Sequence, residues 1–566
     1  MLKRLRVILV AVVVVAALLA AAAPALAVHR PTRVMIVVMD QMHPEYAKQY
    51  NMTNVLWLQN HGVTFPKAYV GDMASETVVS HNVMVSGLLP KHMGWSDEAL
   101  RDTTDVLDGG ANGIYVTGDL SYAQFQQLVA AGAYPKLGTY LHAKFPGSVV
   151  ACVGQKSYQV RSMTAGSADL GVFLGSTKSG TNGGDPALIS LLGGAYRGPS
   201  IIGTMAAPYI TADPNNRFFV NSDPSNDYGT LTQSPAWIYP EDGDRMVPGF
   251  NEGHLGGDNW VADATIKIMQ NEDWSGLFVN FGAIDKIGHM CGGGEADNLK
   301  NYQWDPNSIF NQVHEPFIAK NADTQLGRLI GTLKALHEFD STLIVVVADH
   351  GSTAATKHFY GVDDQNAGDF NWYYGDSLTD GNFYNMPGRV ITPALKPLID
   401  TGNVAFNYSS TAIETWLTDF TMAKKQAAAK VMRKLPGVIA TYMKSDDGTR
   451  YVLDTATKTK TKMTLAEHAW WKLHGQQLVN TMAWSGSADV VGLLANRTSY
   501  GAFGDHGGAQ KDVQRIPMAW YMPGIKHAVS ENPLRLVDIM PTMLKALGIT
   551  PTHPMDGHAF SLSLPQ

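Results

Sequence analysis

Three nearly unbroken apolar runs, each followed within a few residues by an aspartate, constrain this chain more than any other feature. They are VMIVVM at 34–39, ending at Asp40; GLFVNF at 276–281, followed by Asp285; and LIVVVA at 343–348, followed by Asp349 and His350. A strand with one face in water alternates apolar and polar residues, whereas a continuous run is buried on both faces, as in a parallel sheet covered by helices. Ahead of the third run, Leu326, Leu329, Ile330, Leu333 and Leu336 recur at helical spacing, giving a helix and then a strand. The pattern predicts an α/β fold with a mostly parallel central sheet. Polar residues just beyond the C-terminal ends of three strands fall where sites form in such sheets. Further strands are expected at 489–495 and 517–522, and residues 411–435 read as a helix stopped by Pro436 and Gly437.

At 566 residues and 45% hydrophobic composition, the chain can bury a large core. Only 16% of residues are charged, with 55 glycines and 28 prolines, which predicts abundant polar loops. Two stretches, 171–255 and 354–408, read as irregular insertions of the kind that wall a pocket or cover a surface. The formal net charge of −7 leaves no basic surplus, so binding to a nucleic-acid polymer is not expected.

Residues 1–27 read as a secretory signal: Lys3, Arg4 and Arg6 precede a long apolar run, and Ala25-Leu26-Ala27 fits a cleavage site before Val28. An uncleaved membrane anchor is the alternative, since the run is nearly long enough to span a bilayer. Cleavage would take the formal charge from −7 to −10. No later stretch is apolar enough to span, so a secreted or extracytoplasmic protein whose mature domain covers 28–566 is expected. Export permits a disulfide between Cys152 and Cys291, but two buried thiols are equally compatible with the sequence.

Aspartate and neutral histidine suit Zn²⁺, and aspartate also suits Mg²⁺ or Mn²⁺. Besides Asp40, Asp349 and His350, candidate ligands are Asp285 and His289 in GAIDKIGHM, with Gly288 permitting a tight backbone, and His506 in FGDHGGAQKD. SETVVSHNVMVSGLLPKHMG adds hydroxyls at Ser75, Thr77 and Ser80 ahead of a plausible helix, where free amides and the helix dipole favour an anion.

Together these pieces resemble the alkaline phosphatase superfamily, most closely its type I phosphodiesterase and nucleotide pyrophosphatase branch. That pattern is a strand ending in Asp, a nucleophilic Thr, Ser or Cys opening a helix, D-x-x-G-H, D-H-G and a late His. All five occur here in order, from Asp40 to His506, and SGLLPKHMG and LRLVDIMPTMLKALGI extend the likeness over nearly all of 28–566. The resemblance implies a three-layer α/β/α sandwich and two divalent metal ions, Zn²⁺ foremost. It places the nucleophile ten residues before the Gly of the SG turn; that glycine is Gly87, so the nucleophile is Thr77. It further implies that Asp285, His289 and His506 hold one metal, and that Asp40, Thr77, Asp349 and His350 hold the other. Two cations about 4 Å apart can clamp the attacking and leaving oxygens of an in-line displacement.

Specialised monoesterases of this family add an Asn after the nucleophile helix and a K-x-R pair. Here the matching positions hold Glu98, Lys156 and Tyr158. A carboxylate near the phosphoryl oxygens repels a dianion, and a missing Arg removes a bidentate donor, so a small diester or pyrophosphate substrate is expected. The alternatives are an alkaline phosphomonoesterase, a transferase that passes a phospho-headgroup to another acceptor, and a non-catalytic binding protein. A sulfatase needs a Cys or Ser for conversion to formylglycine, which Thr77 cannot supply.

Overall fold

In the computed structural model the described residues are 29–95, 97–173, 200–203, 255–285, 288, 309–355, 358–359, 384–385, 393–456, 463–501 and 504–564. The apolar runs form adjacent strands. Arg33–Met39 lies between Trp274–Phe281 and Thr342–Val347, parallel to both. The nine-stranded sheet continues on one side through Val149–Gly154 and Leu170–Phe173, also parallel, to Ser200–Gly203. On the other side it continues through Met518–Tyr521, Val63–Thr64 and Ala528–Val529. Antiparallel pairing is confined to the flanks.

Helices cover both faces. Thr53–His61, Leu255–Asn271 and Ile309–Ala335 pack together in one layer; Thr77–Ser86, Leu137–Lys144, Ser157–Thr164 and Ile539–Leu547 form the other. This is why the strands read as continuous apolar runs: Val34, Met35, Ile36 and Val37 are each 0% exposed. Thr77–Ser86 is buried around its whole circumference, as its Val- and Met-rich sequence dictates. It ends at Gly87, whose φ of 68° supplies the left-handed cap.

Register sets the site. Met39 pairs with Phe281 and Val38 with Val347, so the chain leaves three neighbouring strands at one level. Strands about 4.8 Å apart then deliver Asp40, Asp285 and Asp349 to one edge.

A second sheet was not anticipated. It has six antiparallel strands in the order Tyr384–Asn385, Val404–Ser409, Ala412–Leu417, Val490–Leu494, Val438–Lys444 and Tyr451–Ala456. The expected helix at 411–435 is therefore the strand Ala412–Leu417 followed by a shorter helix, Met422–Met432. The strand pairs on both sides, and those long-range partners override a local helical reading. Likewise, the expected strand at 489–495 belongs to this second sheet, not the central one. Of the expected insertions, Pro393–Leu395, Lys396–Ile399 and Val404–Ser409 are regular structure, and Leu170–Phe173 and Ser200–Gly203 extend the central sheet. Cys152 is a free, buried thiol; Cys291 and the signal segment lie outside the described residues. Among the described residues no helix is long and apolar enough to cross a membrane.

Candidate active site

At the strand ends, Asp40, Asp349 and His350 are all 0% exposed. His350 Nε2 lies 3.4 Å from Asp349 Oδ2 and 3.6 Å from Asp40 Oδ1. Its Nδ1 donates to the Gly351 carbonyl at 3.1 Å, which leaves the Nε2 lone pair facing the carboxylates. Burial, aided by the Asp349 charge, pushes the Asp40 carboxyl up to about 7; burial raises Asp349 and holds His350 well below its ordinary value. Gly351 is needed for a close backbone approach, since a Cβ there would overlap the Asp512 carbonyl oxygen.

Gln41 bridges two of the strand ends. Its backbone N–H donates to Asp349 Oδ1 at 3.2 Å and its Nε2 to Asp285 Oδ1 at 3.1 Å. It does so from a left-handed backbone, φ 64°, which costs a non-glycine residue about 1–3 kcal/mol. Gly288 serves this residue: a Cβ there would overlap Gln41 Oε1. Asn280, inside its strand, donates from Nδ2 to Asp40 Oδ2 at 2.9 Å.

Thr77 opens its helix, with Glu76 as an extended N-cap residue. Its Oγ1 lies 3.0 Å from Lys156 Nζ and 3.3 Å from His350 Nε2. Ser75 Oγ donates instead to the Gly508 carbonyl at 3.1 Å, and Ser80 is fully buried one turn along the helix. Glu98 reaches the same helix terminus, accepting from the Val78 N–H at 3.1 Å and from Thr117 Oγ1 at 2.7 Å.

His506 arrives from a distant loop. Its ring stacks on His350 with centroids 3.7 Å apart, and Nε2 lies 3.4 Å from Asp285 Oδ1. Nδ1 lies 2.7 Å from Glu76 Oε2, while Glu76 Oε1 accepts from the Tyr408 hydroxyl at 2.9 Å. Burial opposes a charged His506, but Glu76 and Asp285 outweigh it and hold the imidazole above its ordinary value. Burial pushes the Glu76 carboxyl up to about 8, with the His506 charge opposing.

Lys156 sits at the centre, 2% exposed, with Nζ 2.6 Å from Asp285 Oδ2 and 2.9 Å from Asp40 Oδ2. Burial works against its charge, but Asp285, Asp40 and Asp349 outweigh it and keep the ammonium charged. Tyr158 lies in the first turn of the helix that follows, half-buried against the core.

The donor set fits divalent cations. Asp40, Asp349 and His350 present ligand atoms within 4.8 Å of one another, and so do Asp285, His350 and His506. Asp40 Oδ1 and Asp349 Oδ2 are buried oxygens with no hydrogen-bond partner among the described residues, and a cation would satisfy them. The first group holds three of the four residues expected around Asp40, and the fourth, Thr77, has its Oγ1 3.3 Å from His350 Nε2. In the second, His350 stands beside Asp285 and His506, and His289 lies outside the described residues.

Sequence reasoning missed Glu76, Gln41, Asn280 and Tyr408. Glu76 and Gln41 adjoin Thr77 and Asp40 in the chain, a signal that could have flagged them. Asn280 is the one polar residue in the apolar run 276–281, which could have marked it too; nothing local marks Tyr408.

Comparison with known proteins gives a family match and a fold. The family model for type I phosphodiesterase / nucleotide pyrophosphatase matches residues 214–373, a span that includes Asp285, Asp349 and His350. No curated protein sequence matches the chain. Among solved structures, wild-type alkaline phosphatase PafA is 15% identical with a TM-score of 0.56, covering 93% of this chain and 97% of its own. A mutant of PafA is 14% identical, with a TM-score of 0.53 and the same coverage. Human ectonucleotide pyrophosphatase / phosphodiesterase 5 is 13% identical, with a TM-score of 0.48 over the same shares.

Proposed function

We propose that the chain is a phosphoester hydrolase of the alkaline phosphatase superfamily and that it cleaves small phosphodiesters or pyrophosphate bonds through a phosphothreonine intermediate on Thr77. One observation carries the reading: the Thr77 hydroxyl, at a helix N-terminus, faces two overlapping groups of buried Asp and His ligands. Asp40, Thr77, Asp349 and His350 would hold one metal, and Asp285, His506 and His289 the other, with Zn²⁺ the ion that best suits mixed Asp and His donors. When bound, the ions supply Lewis acidity at the attacking and leaving oxygens.

The chain's own residues do the rest. Thr77 Oγ1 forms a bond to phosphorus as the bond to the leaving oxygen breaks; water then takes the phosphoryl group from Thr77 and restores the hydroxyl. Lys156, 3.0 Å from Oγ1, stabilises negative charge there as the hydroxyl loses its proton. The helix N-terminus favours the phosphoryl oxygens. Glu98 already takes the Val78 N–H of that terminus with a carboxylate, which favours a substrate bearing one negative charge over a dianion. The segment from Lys3 to Ala27 supports export as the setting for this activity.

The test is a panel of phosphomonoesters, diesters, nucleotides and phospholipids on the purified mature protein, with metal analysis and with and without an acceptor. Expected are diester turnover, loss on chelation and recovery with Zn²⁺. Thr77→Ala should abolish turnover and keep its metal, since six of the seven proposed ligands remain. Turnover by a folded, metal-loaded Thr77→Ala protein would remove Thr77 as nucleophile. Faster release from monoesters would make the protein an alkaline phosphomonoesterase.

A further inference from the structure

Behind the Thr77 helix lies a lysine that the chemistry above does not use. Lys136 is 0% exposed, and its Nζ donates to Asn82 Oδ1 at 2.8 Å and to the Ser162 carbonyl at 2.7 Å. Asn82, equally buried, donates from Nδ2 to Ser162 Oγ at 2.9 Å and to the Val78 carbonyl at 2.8 Å. Ser162 Oγ in turn donates to the Gln159 carbonyl at 2.9 Å. Among the described residues no carboxylate pairs with Lys136. Burial pulls its ammonium down to about 7, with Cys152 a smaller opposing influence. Taking an ammonium out of water costs several kcal/mol, and an apolar side chain of similar volume would fill the space without that cost. A neutral amine has two N–H groups, and the site offers it two acceptors.

What the lysine joins explains its place. Asn82 belongs to the helix Thr77–Ser86, which opens with Thr77. Ser162 belongs to the helix Ser157–Thr164, whose N-cap residue is Lys156. The two helices pack on each other, and their N-terminal ends bring Thr77 Oγ1 and Lys156 Nζ to 3.0 Å. Sliding or rotating one helix against the other would break bonds at Lys136, Asn82 and Ser162 together. We propose that Lys136, acting through Asn82 and Ser162, is a positioning residue that holds Thr77 and Lys156 in register for the reaction. The proposal rests on the functional reading above. Lys136 itself touches neither the ligand groups nor Thr77.

A double-mutant cycle on the mature protein tests this, with bis(p-nitrophenyl) phosphate as substrate and Lys136→Met, Lys156→Met and the double variant compared. Lys136→Met should lower kcat on the order of tenfold to a hundredfold, the scale of a misplaced reacting group, with KM within about twofold; Tm should fall modestly, because Asn82 Oδ1 and the Ser162 carbonyl lose their donor. In the Lys156→Met background the same change should cost less than about twofold, because the register it maintains no longer matters. Equal losses in both backgrounds, or wild-type kcat in Lys136→Met, would overturn the positioning role and leave the functional reading intact. Should Lys136→Met not fold, Asn82→Leu enters the same cycle with the same expected non-additivity and the same refuting result. No turnover of any phosphoester by the wild-type protein would overturn the functional reading and this proposal with it.

Discussion

Replacing Glu76 by glutamine removes one charge from behind His506 while keeping the shape of the side chain. Glu76 Oε2 lies 2.7 Å from His506 Nδ1, and the two side chains are 4% and 8% exposed, so little water or salt screens the contact. A glutamine can turn its carbonyl oxygen to the His506 N–H and its amide to the Tyr408 hydroxyl oxygen, so both hydrogen bonds survive. What disappears is the carboxylate that orients the ring and raises the basicity of Nε2, the nitrogen 3.4 Å from Asp285. Outer partners of this kind contribute tenfold to a hundredfold in metal affinity or activity, about 1.4–2.7 kcal/mol. Glu76→Gln is expected to bind Zn²⁺ that much more weakly in a chelator competition and to need correspondingly more Zn²⁺ for half-maximal turnover. Tm of the metal-free protein should be unchanged or higher, because a buried carboxyl has gone. Zn²⁺ affinity and turnover both within about twofold of wild type would refute the role assigned to Glu76 and count against His506 as a ligand.

Two further changes probe the neighbourhood. Glu98→Asn combined with Tyr158→Arg removes the carboxylate at the Val78 N–H and adds a guanidinium. The ratio of kcat/KM for an aryl diester to that for the matching monoester should fall by about tenfold or more, the scale of one charge-assisted contact; an unchanged ratio would dismiss both residues from substrate selection. Gly351→Ala places a methyl against the Asp512 carbonyl oxygen, so the 512–515 backbone must shift; a destabilisation of about 1–3 kcal/mol is expected by chemical denaturation, and a wild-type midpoint would show that the loop yields freely.

The sequence by itself determined the parts of this protein that depend on local pattern. Strands buried on both faces must be apolar throughout, so Val34–Met39, Gly276–Phe281 and Leu343–Ala348 announced themselves, and with them Asp40, Asp285, Asp349 and His350 at their ends. The plausible helix after Thr77 was placed by the family pattern, which counts back ten residues from Gly87; in the fold that glycine is the left-handed stop of the helix. Tertiary structure alone decided what depends on partners far along the chain. Ala412–Leu417 is a strand because Val404–Ser409 and Val490–Leu494 lie beside it, and no local preference records that pairing. Lys156, which could equally have been a surface lysine, is drawn inward by the field of Asp285, Asp40 and Asp349, which outweighs its cost of burial. Glu76 matters because His506 folds back onto it, and Lys136 because Asn82 and Ser162 meet there. A buried polar group is stable only where its partners converge, and that convergence is a property of the packed chain that no window of sequence contains.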